Sequence, residues 1–244
     1  MINDQTTRKL REMNLSEMID IIRIEHTKNT FADLSFDESM QLIIDYVYNE
    51  KITQKIERLI RTAKLRYRNA DISSIIYEER ALDKKKINEI GTCCFMNNHS
   101  NVIFEGFAGG GKTYCACAIG KEACKQMKKT KYIRIPDLLA ELDEKSIQLN
   151  GRTKLINQYN RYELLILDEW LTNELNLEEI QFLFEIIERR STNQSTIFCT
   201  QYKTSEWHEK LGAGIHAEAI IDRVIHNCII IKIDTINMRE KLQQ

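Results

Sequence analysis

Gly106, Phe107, Ala108, Gly109, Gly110, Gly111, Lys112 and Thr113 spell GxxxxGKT, directly after the apolar run Asn101-Val-Ile-Phe and directly before a helical run. In that setting the glycines let successive backbone amides turn inward on a phosphate, and the helix N-terminus adds its dipole. Lys112 would reach the β and γ phosphates, and Thr113 would offer its hydroxyl to Mg²⁺. The motif, in the strand, loop and helix context it requires, implies nucleotide binding.

A second signal lies downstream. Glu163-Leu-Leu-Ile-Leu-Asp168-Glu169 is a buried-strand run ending in two adjacent acids. A P-loop enzyme needs one carboxylate to hold the metal and can use another to polarise the attacking water. Asp168 suits the metal and Glu169 the water. The second acid also disfavours a GTPase or a small-molecule kinase, where the nucleophile is positioned by other means. The strand Ser195 to Gln201 ends in Thr200 and Gln201, and one of them could sit between the γ-phosphate and Glu169. Asp222 and Arg223, in a helical stretch from Glu218 to His226, read from the residues alone as a surface pair or as a catalytic arginine.

These groups need a scaffold that brings strand ends together. Short β-rich runs at Val102 to Phe104, Tyr132 to Ile135, Leu164 to Leu167, Thr196 to Cys199 and Cys228 to Ile233 alternate with helical runs. That alternation predicts an α/β fold with a mainly parallel five-stranded sheet covered on both faces. The first 90 residues read as helices only: Ser16 to Lys28, a helix capped by Ser35 and Glu38 ahead of Met40 to Val47, and another from about Ile52 to Tyr67. A helical connector follows near Leu82 to Asn97. The expected division is a small all-α domain over 1–75 and a nucleotide-binding domain over 76–244.

Composition narrows the class. The 244 residues carry 35 Lys plus Arg against 36 Asp plus Glu, with nine Gly and one Pro. So high a charge content with so few breakers argues for a helix-rich globular chain rather than a disordered or fibrous one. No apolar run approaches the roughly 18 to 20 residues of a membrane span, and the polar N-terminus does not read as a signal peptide, so a cytoplasmic protein is expected. The seven cysteines show no metal-site spacing and read as buried, reduced thiols.

The net charge of −1 hides a segregation. Phe31 to Glu50 holds five acids and no Lys or Arg, whereas Lys51 to Arg68 holds Lys51, Lys55, Arg58, Arg61, Lys64, Arg66 and Arg68 against Glu57 alone. Lys121 to Arg134 forms a second basic cluster. Polyanion binding depends on phosphates neutralised locally, so either run could contact nucleic acid, or could be a solvated face.

The series GFAGGGKT, YIRIPDLLAEL, LLILDEW, STIFCTQY, SEWHEKLG, AEAIIDRVIHN and NMRE resembles, in order and spacing, the IstB-like proteins. These are ATP-binding helpers of insertion-sequence transposition, similar to the DnaC-type helicase loaders among the AAA+ ATPases. The likeness reaches upstream through LSFDESMQLIIDYVYNE and LIRTAKLRY. It implies an αβα P-loop AAA+ domain that uses ATP and Mg²⁺. It makes Arg223 the arginine finger presented to a neighbouring subunit's ATP, and Arg239 a residual sensor arginine, in a chain with no room for a full lid domain. It also implies a homo-oligomer on duplex DNA that stimulates the transposase of the same element, with Lys55, Arg58, Arg61, Lys64, Arg66 and Arg68 as candidate phosphate contacts. Two rivals share most of these features. One is a replicative helicase loader, which the IstB-like N-terminal segment disfavours. The other is a DNA-binding scaffold too slow for turnover to matter, which Glu169 disfavours.

Overall fold

Short polar side chains set the starts of the N-terminal helices in a computed structural model of the protein, which describes residues 2–28, 30–78, 82–233 and 238. Asn3 Oδ1 accepts from the Thr6 amide at 2.7 Å and opens α1 (Asp4–Glu12). Helix α2 (Ser16–Lys28) follows. The expected capping box is present at the head of α3 (Phe36–Ala63): the Ser35 amide donates to Glu38 Oε2 at 2.8 Å, and the Glu38 amide donates to Ser35 Oγ at 3.3 Å. Helix α3 unites the two helices read separately from sequence. Tyr48-Asn49-Glu50-Lys51, between their apolar stretches, holds neither Gly nor Pro to stop it. It ends earlier than expected, where Lys64 turns left-handed at φ 53°.

The chain divides into two compact units, Met1–Arg58 and Leu59–Gln244. The division falls inside α3, ahead of the boundary expected after residue 75. The physical reason is that Leu59, Ile60, Ala63, Leu65, Ala70 and Ile75 all join the larger unit's core. In the smaller unit α2 and α3 are pinned by polar contacts. Lys51 Nζ donates to the Asn14 carbonyl at 2.6 Å, and Gln54 Nε2 donates to Glu17 Oε1 at 3.0 Å.

The larger unit is an α/β sandwich. Its sheet, all parallel, runs β2 (Thr130–Arg134), β3 (Leu164–Trp170), β4 (Ser195–Thr200), β1 (Asn101–Gly106) and β5 (Cys228–Ile233) across. Side chains alternate between two cores, as strand geometry demands. Val102, Phe104, Leu164, Ile166, Ile197 and Cys199 face one layer with α4 (Lys84–Gly91) and α5 (Lys112–Lys125). Ile103, Leu165, Leu167 and Phe198 face the other, formed by α6 (Ile135–Ser146), α7 (Gly151–Asn160), α8 (Leu177–Arg190), α9 (Trp207–Lys210) and α10 (Ile215–Ile225). Helices α1 and α7 escape the sequence pattern. Nothing in α1 is buried, and α7 buries only Gly151, Leu155, Ile156 and Tyr159.

Five cysteines are buried and none of the seven forms a disulfide; Cys94 departs from expectation in being exposed. Burial pushes the Cys93 thiol up to about 12 and Cys117 up to about 11, so both stay protonated and unreactive. Among the described residues no helix is long and apolar enough to cross a membrane.

Candidate nucleotide site

Strand β1 delivers the chain to the P-loop at the carboxyl edge of the sheet. Gly106, at φ 151°, lies so close to β5 that an added Cβ would stand 2.2 Å from the Ile233 carbonyl oxygen. Gly111, at φ 90°, turns the loop into α5. Both conformations favour glycine. Lys112 Nζ donates to the Gly106 and Phe107 carbonyls at 2.6 and 2.7 Å, so the loop's own oxygens hold the ammonium over the cradle. Phe107 and Ala108 are exposed, and their side chains are free to vary without disturbing the loop backbone.

Strand β3 brings the two acids alongside. Asp168 is buried; its Oδ2 accepts from Thr113 Oγ1 at 2.9 Å and from the Tyr132 hydroxyl at 2.7 Å. Burial first, and then the Asp168 charge, raise the Tyr132 pKa, so its hydroxyl stays a donor. A hydroxyl and a carboxylate oxygen side by side are the hard donors that Mg²⁺ takes. The strand register is then interrupted between Leu167 and Trp170, and Glu169 adopts φ 58°. Its Oε1 lies 3.6 Å from Arg66 Nη1 and 3.6 Å from Arg134 Nη1.

Thr200, buried at the end of β4, is in register with Glu105 of β1 on one side and Trp170 of β3 on the other. Its hydroxyl accepts from the Tyr202 amide at 3.1 Å, while Gln201 is exposed. Fold and register therefore gather the P-loop, Asp168, Glu169, Thr200 and Gln201 at one edge of the sheet. Arg223 belongs elsewhere. It lies on α10, one residue before Val224, whose carbonyl accepts from Asn101 Nδ2 at the opposite, amino end of β1. There it pairs with Glu188 of α8 and stands 5.3 Å over the Phe184 ring. Arg239 lies outside the described residues.

Sequence reasoning missed the wall beside the loop. A cavity of about 310 Å³ opens next to Gly109, Gly111 and Thr113, bounded by Tyr67, Ile75, Ile76, Tyr114 and Met238. Aromatic and aliphatic walls beside a phosphate cradle suit a flat base. Tyr67, Ile75 and Ile76 are brought in from the segment after α3 by tertiary packing, and they join Tyr114 of α5 and Met238. The basic candidates also separate. Lys55, Arg58, Arg61, Lys64 and Arg68 are exposed around the end of α3, Lys55 and Arg58 in the smaller unit and the rest in the larger. Arg66 instead points to Glu169. In the second basic cluster, Lys121 and Lys125 lie 3.7 and 3.9 Å from Asp71, Lys128 lies 3.2 Å from Glu163, and Arg134 lies 2.6 Å from Asp137. Asp71 and Glu163, distant in sequence, and Asp137, three residues beyond Arg134, neutralise much of that run.

The chain is similar to known proteins both in sequence and in fold. The chain is 31% identical over 228 residues to an insertion sequence ATP-binding protein of Sinorhizobium fredii, covering 93% of this chain and 92% of that one. It is 29% identical to the corresponding protein of insertion sequence IS5376 from Geobacillus stearothermophilus, covering 87% and 85%. In structure it resembles the DnaC helicase loader, with TM-score 0.60 at 19% identity over 69% of this chain and 99% of that one. It also resembles nucleotide-bound DnaA from Aquifex aeolicus, with TM-score 0.55 at 19% identity over 71% and 55%. These likenesses place the larger unit in the AAA+ fold. A family described as IstB-like ATP binding protein matches residues 8–244, from the first helix through the P-loop and both acids, and the chain belongs to that family.

Proposed function

We propose that the protein is a Mg²⁺-dependent ATPase that assembles on duplex DNA and stimulates the transposase of its own insertion sequence. The observation that carries the ATPase reading is the convergence of Thr113 on Asp168 at 2.9 Å, with Glu169 next in the chain. In this reading the loop amides and Lys112 hold the triphosphate, and the Tyr67 and Tyr114 side of the cavity takes the base. Thr113 and Asp168 would hold Mg²⁺, which when bound offsets charge on the phosphates. Glu169 accepts a proton as the water oxygen bonds to the γ-phosphorus. The bond to the β–γ bridging oxygen breaks, and ADP leaves with phosphate. Thr200 or Gln201 orients the γ-phosphate or that water.

Arg223, remote from its own P-loop and carried on the surface, is suited to completing the site of a neighbouring copy. Membership of a family whose relatives are named for insertion sequences supports a transposase as partner. The test is a steady-state ATPase assay of wild type and Glu169→Gln, with and without duplex DNA, followed by recovery of partners on the Glu169→Gln protein loaded with ATP. Turnover lost in Glu169→Gln, and recovery of a transposase, are the expected results. Equal turnover in both proteins would overturn the role of Glu169, and recovery of a replicative helicase would replace the transposase.

A further inference from the structure

Arg66 sits in the basic run after α3, yet its surroundings belong to the ATP site. Helix α3 stops at Lys64, and Leu65 is buried in the α5 side of the core. The Cys117 thiol of α5 lies beside the backbone of Tyr67 and Arg66. The Tyr67 ring packs on Tyr114 with centroids 5.8 Å apart, and both rings line the nucleotide cavity. The backbone at residue 66 is therefore fixed against the helix that follows the P-loop.

From that anchor the guanidinium turns to the catalytic carboxylates. Its Nη1 lies 3.6 Å from Glu169 Oε1, and it stands beside Tyr132, whose hydroxyl donates to Asp168. Arg134 reaches the same oxygen at 3.6 Å but is already held by Asp137, through Nε to Oδ2 at 2.8 Å and Nη2 to Oδ1 at 2.6 Å. Among the described residues, Glu169 is the one carboxylate within ion-pair distance of Arg66. A carboxylate oxygen shared by two guanidiniums has less negative charge and fewer lone pairs to offer a water.

We propose that Arg66 is a positioning residue of the ATP site, not a DNA contact, and that it holds Glu169 in a charge-paired resting state that slows hydrolysis. The proposal rests on the reading of Glu169 as the group that polarises the attacking water. Both partners are partly exposed, so the restraint is worth a factor of a few rather than orders of magnitude.

Two measurements on the full-length protein decide it. In DNA-free steady-state ATPase assays, Arg66→Ala is expected to raise kcat about threefold to fivefold with KM within about twofold, and Arg66→Lys to stay near wild type. In nucleotide-free thermal melts of wild type, Arg66→Ala, Glu169→Gln and the double variant, Arg66→Ala is expected to lower Tm more in the wild-type background than in the Glu169→Gln background. The expected difference is roughly 1 to 3 °C. A fall in kcat or a large rise in KM would mean that Arg66 serves the phosphates directly and would overturn the restraint. So would additive Tm shifts, which mean that the two side chains do not interact. If Glu169→Gln hydrolyses as fast as wild type, the role of Glu169 fails, while the melts still decide whether the pair exists.

Discussion

The unit from Leu59 to Gln244 buries an apolar layer on each face of five strands, whereas among its described residues the unit from Met1 to Arg58 buries only Ile19, Ile21 and Ile43 as apolar side chains. On the proposed function, the larger unit must hold a phosphate loop, a metal-binding pair and a water-polarising carboxylate at fixed distances. A core closed on both sides supplies that rigidity. The smaller unit leaves Phe36, Ile44 and Tyr48 exposed on α3 and relies on polar pins such as Lys51 to Asn14. With so little apolar burial its own folding free energy is small. Position is therefore built into one unit, and surface is left available on the other.

The most direct way to break this contrast is at the loop. Lys112→Ala should abolish ATP binding, while Glu169→Gln should retain binding and lose hydrolysis by about 10³-fold, because only the water loses its partner. Isothermal titration with ATP and a phosphate-release assay separate the two. Binding by Lys112→Ala at wild-type affinity would mean that the cradle is not where the nucleotide sits.

Arg223 sharpens the contrast, since it lies in the larger unit yet faces away from that unit's own site. Arg223→Ala should leave ATP binding by the monomer intact and cut turnover by roughly 10³-fold. Mixing Arg223→Ala with Lys112→Ala subunits should restore part of the activity at mixed interfaces, where each mutant supplies what the other lacks. Mixed assemblies that form and stay inactive at every ratio would exclude a finger acting between copies.

Packing can be compared head to head. Phe104→Ala, at a fully buried position in β1, should destabilise the larger unit by about 3–5 kcal/mol. Phe36→Ala, at a position 75% exposed, should change stability by no more than about 0.5 kcal/mol. Urea unfolding followed by tryptophan fluorescence reads the first change cleanly, because both tryptophans, Trp170 and Trp207, are buried in the larger unit. A Phe36 effect as large as that of Phe104 would mean that the exposed face of α3 is covered in solution.

The strands, the phosphate loop and the adjacent acids were legible because local rules dictate them: period-two burial, glycines where φ is positive, and a carboxylate at a strand's end. The capping box of Ser35 and Glu38 was legible for the same reason. Residues whose role depends on distant neighbours were not. Tyr67, Ile75 and Ile76 line the nucleotide cavity only because the segment after α3 folds onto α5. Arg66 read as one of seven cations in a run, and its carboxylate partner lies at position 169. Helix α7, with few buried positions, lacked a strong periodic signal.

The smallest effect concerns the basic residues that remain after Arg66 is set apart. Lys55 in the smaller unit and Arg61 and Arg68 in the larger are all exposed. Each phosphate they neutralise releases counterions, so replacing the three with Ala should weaken all duplexes about equally and lower the slope of log affinity against log salt by roughly 2 to 3 units. Alanine is the best helix former, so Lys55 and Arg61, which are within α3, can be replaced without unfolding it; Arg68 lies beyond its end. Affinity measured against salt for wild type and the triple variant, with circular dichroism as the folding control, gives the answer. A folded triple variant with an unchanged slope would move the phosphate contacts off these side chains. The less neutralised side chains of the second cluster, Lys129 foremost, would then be the next positions to replace.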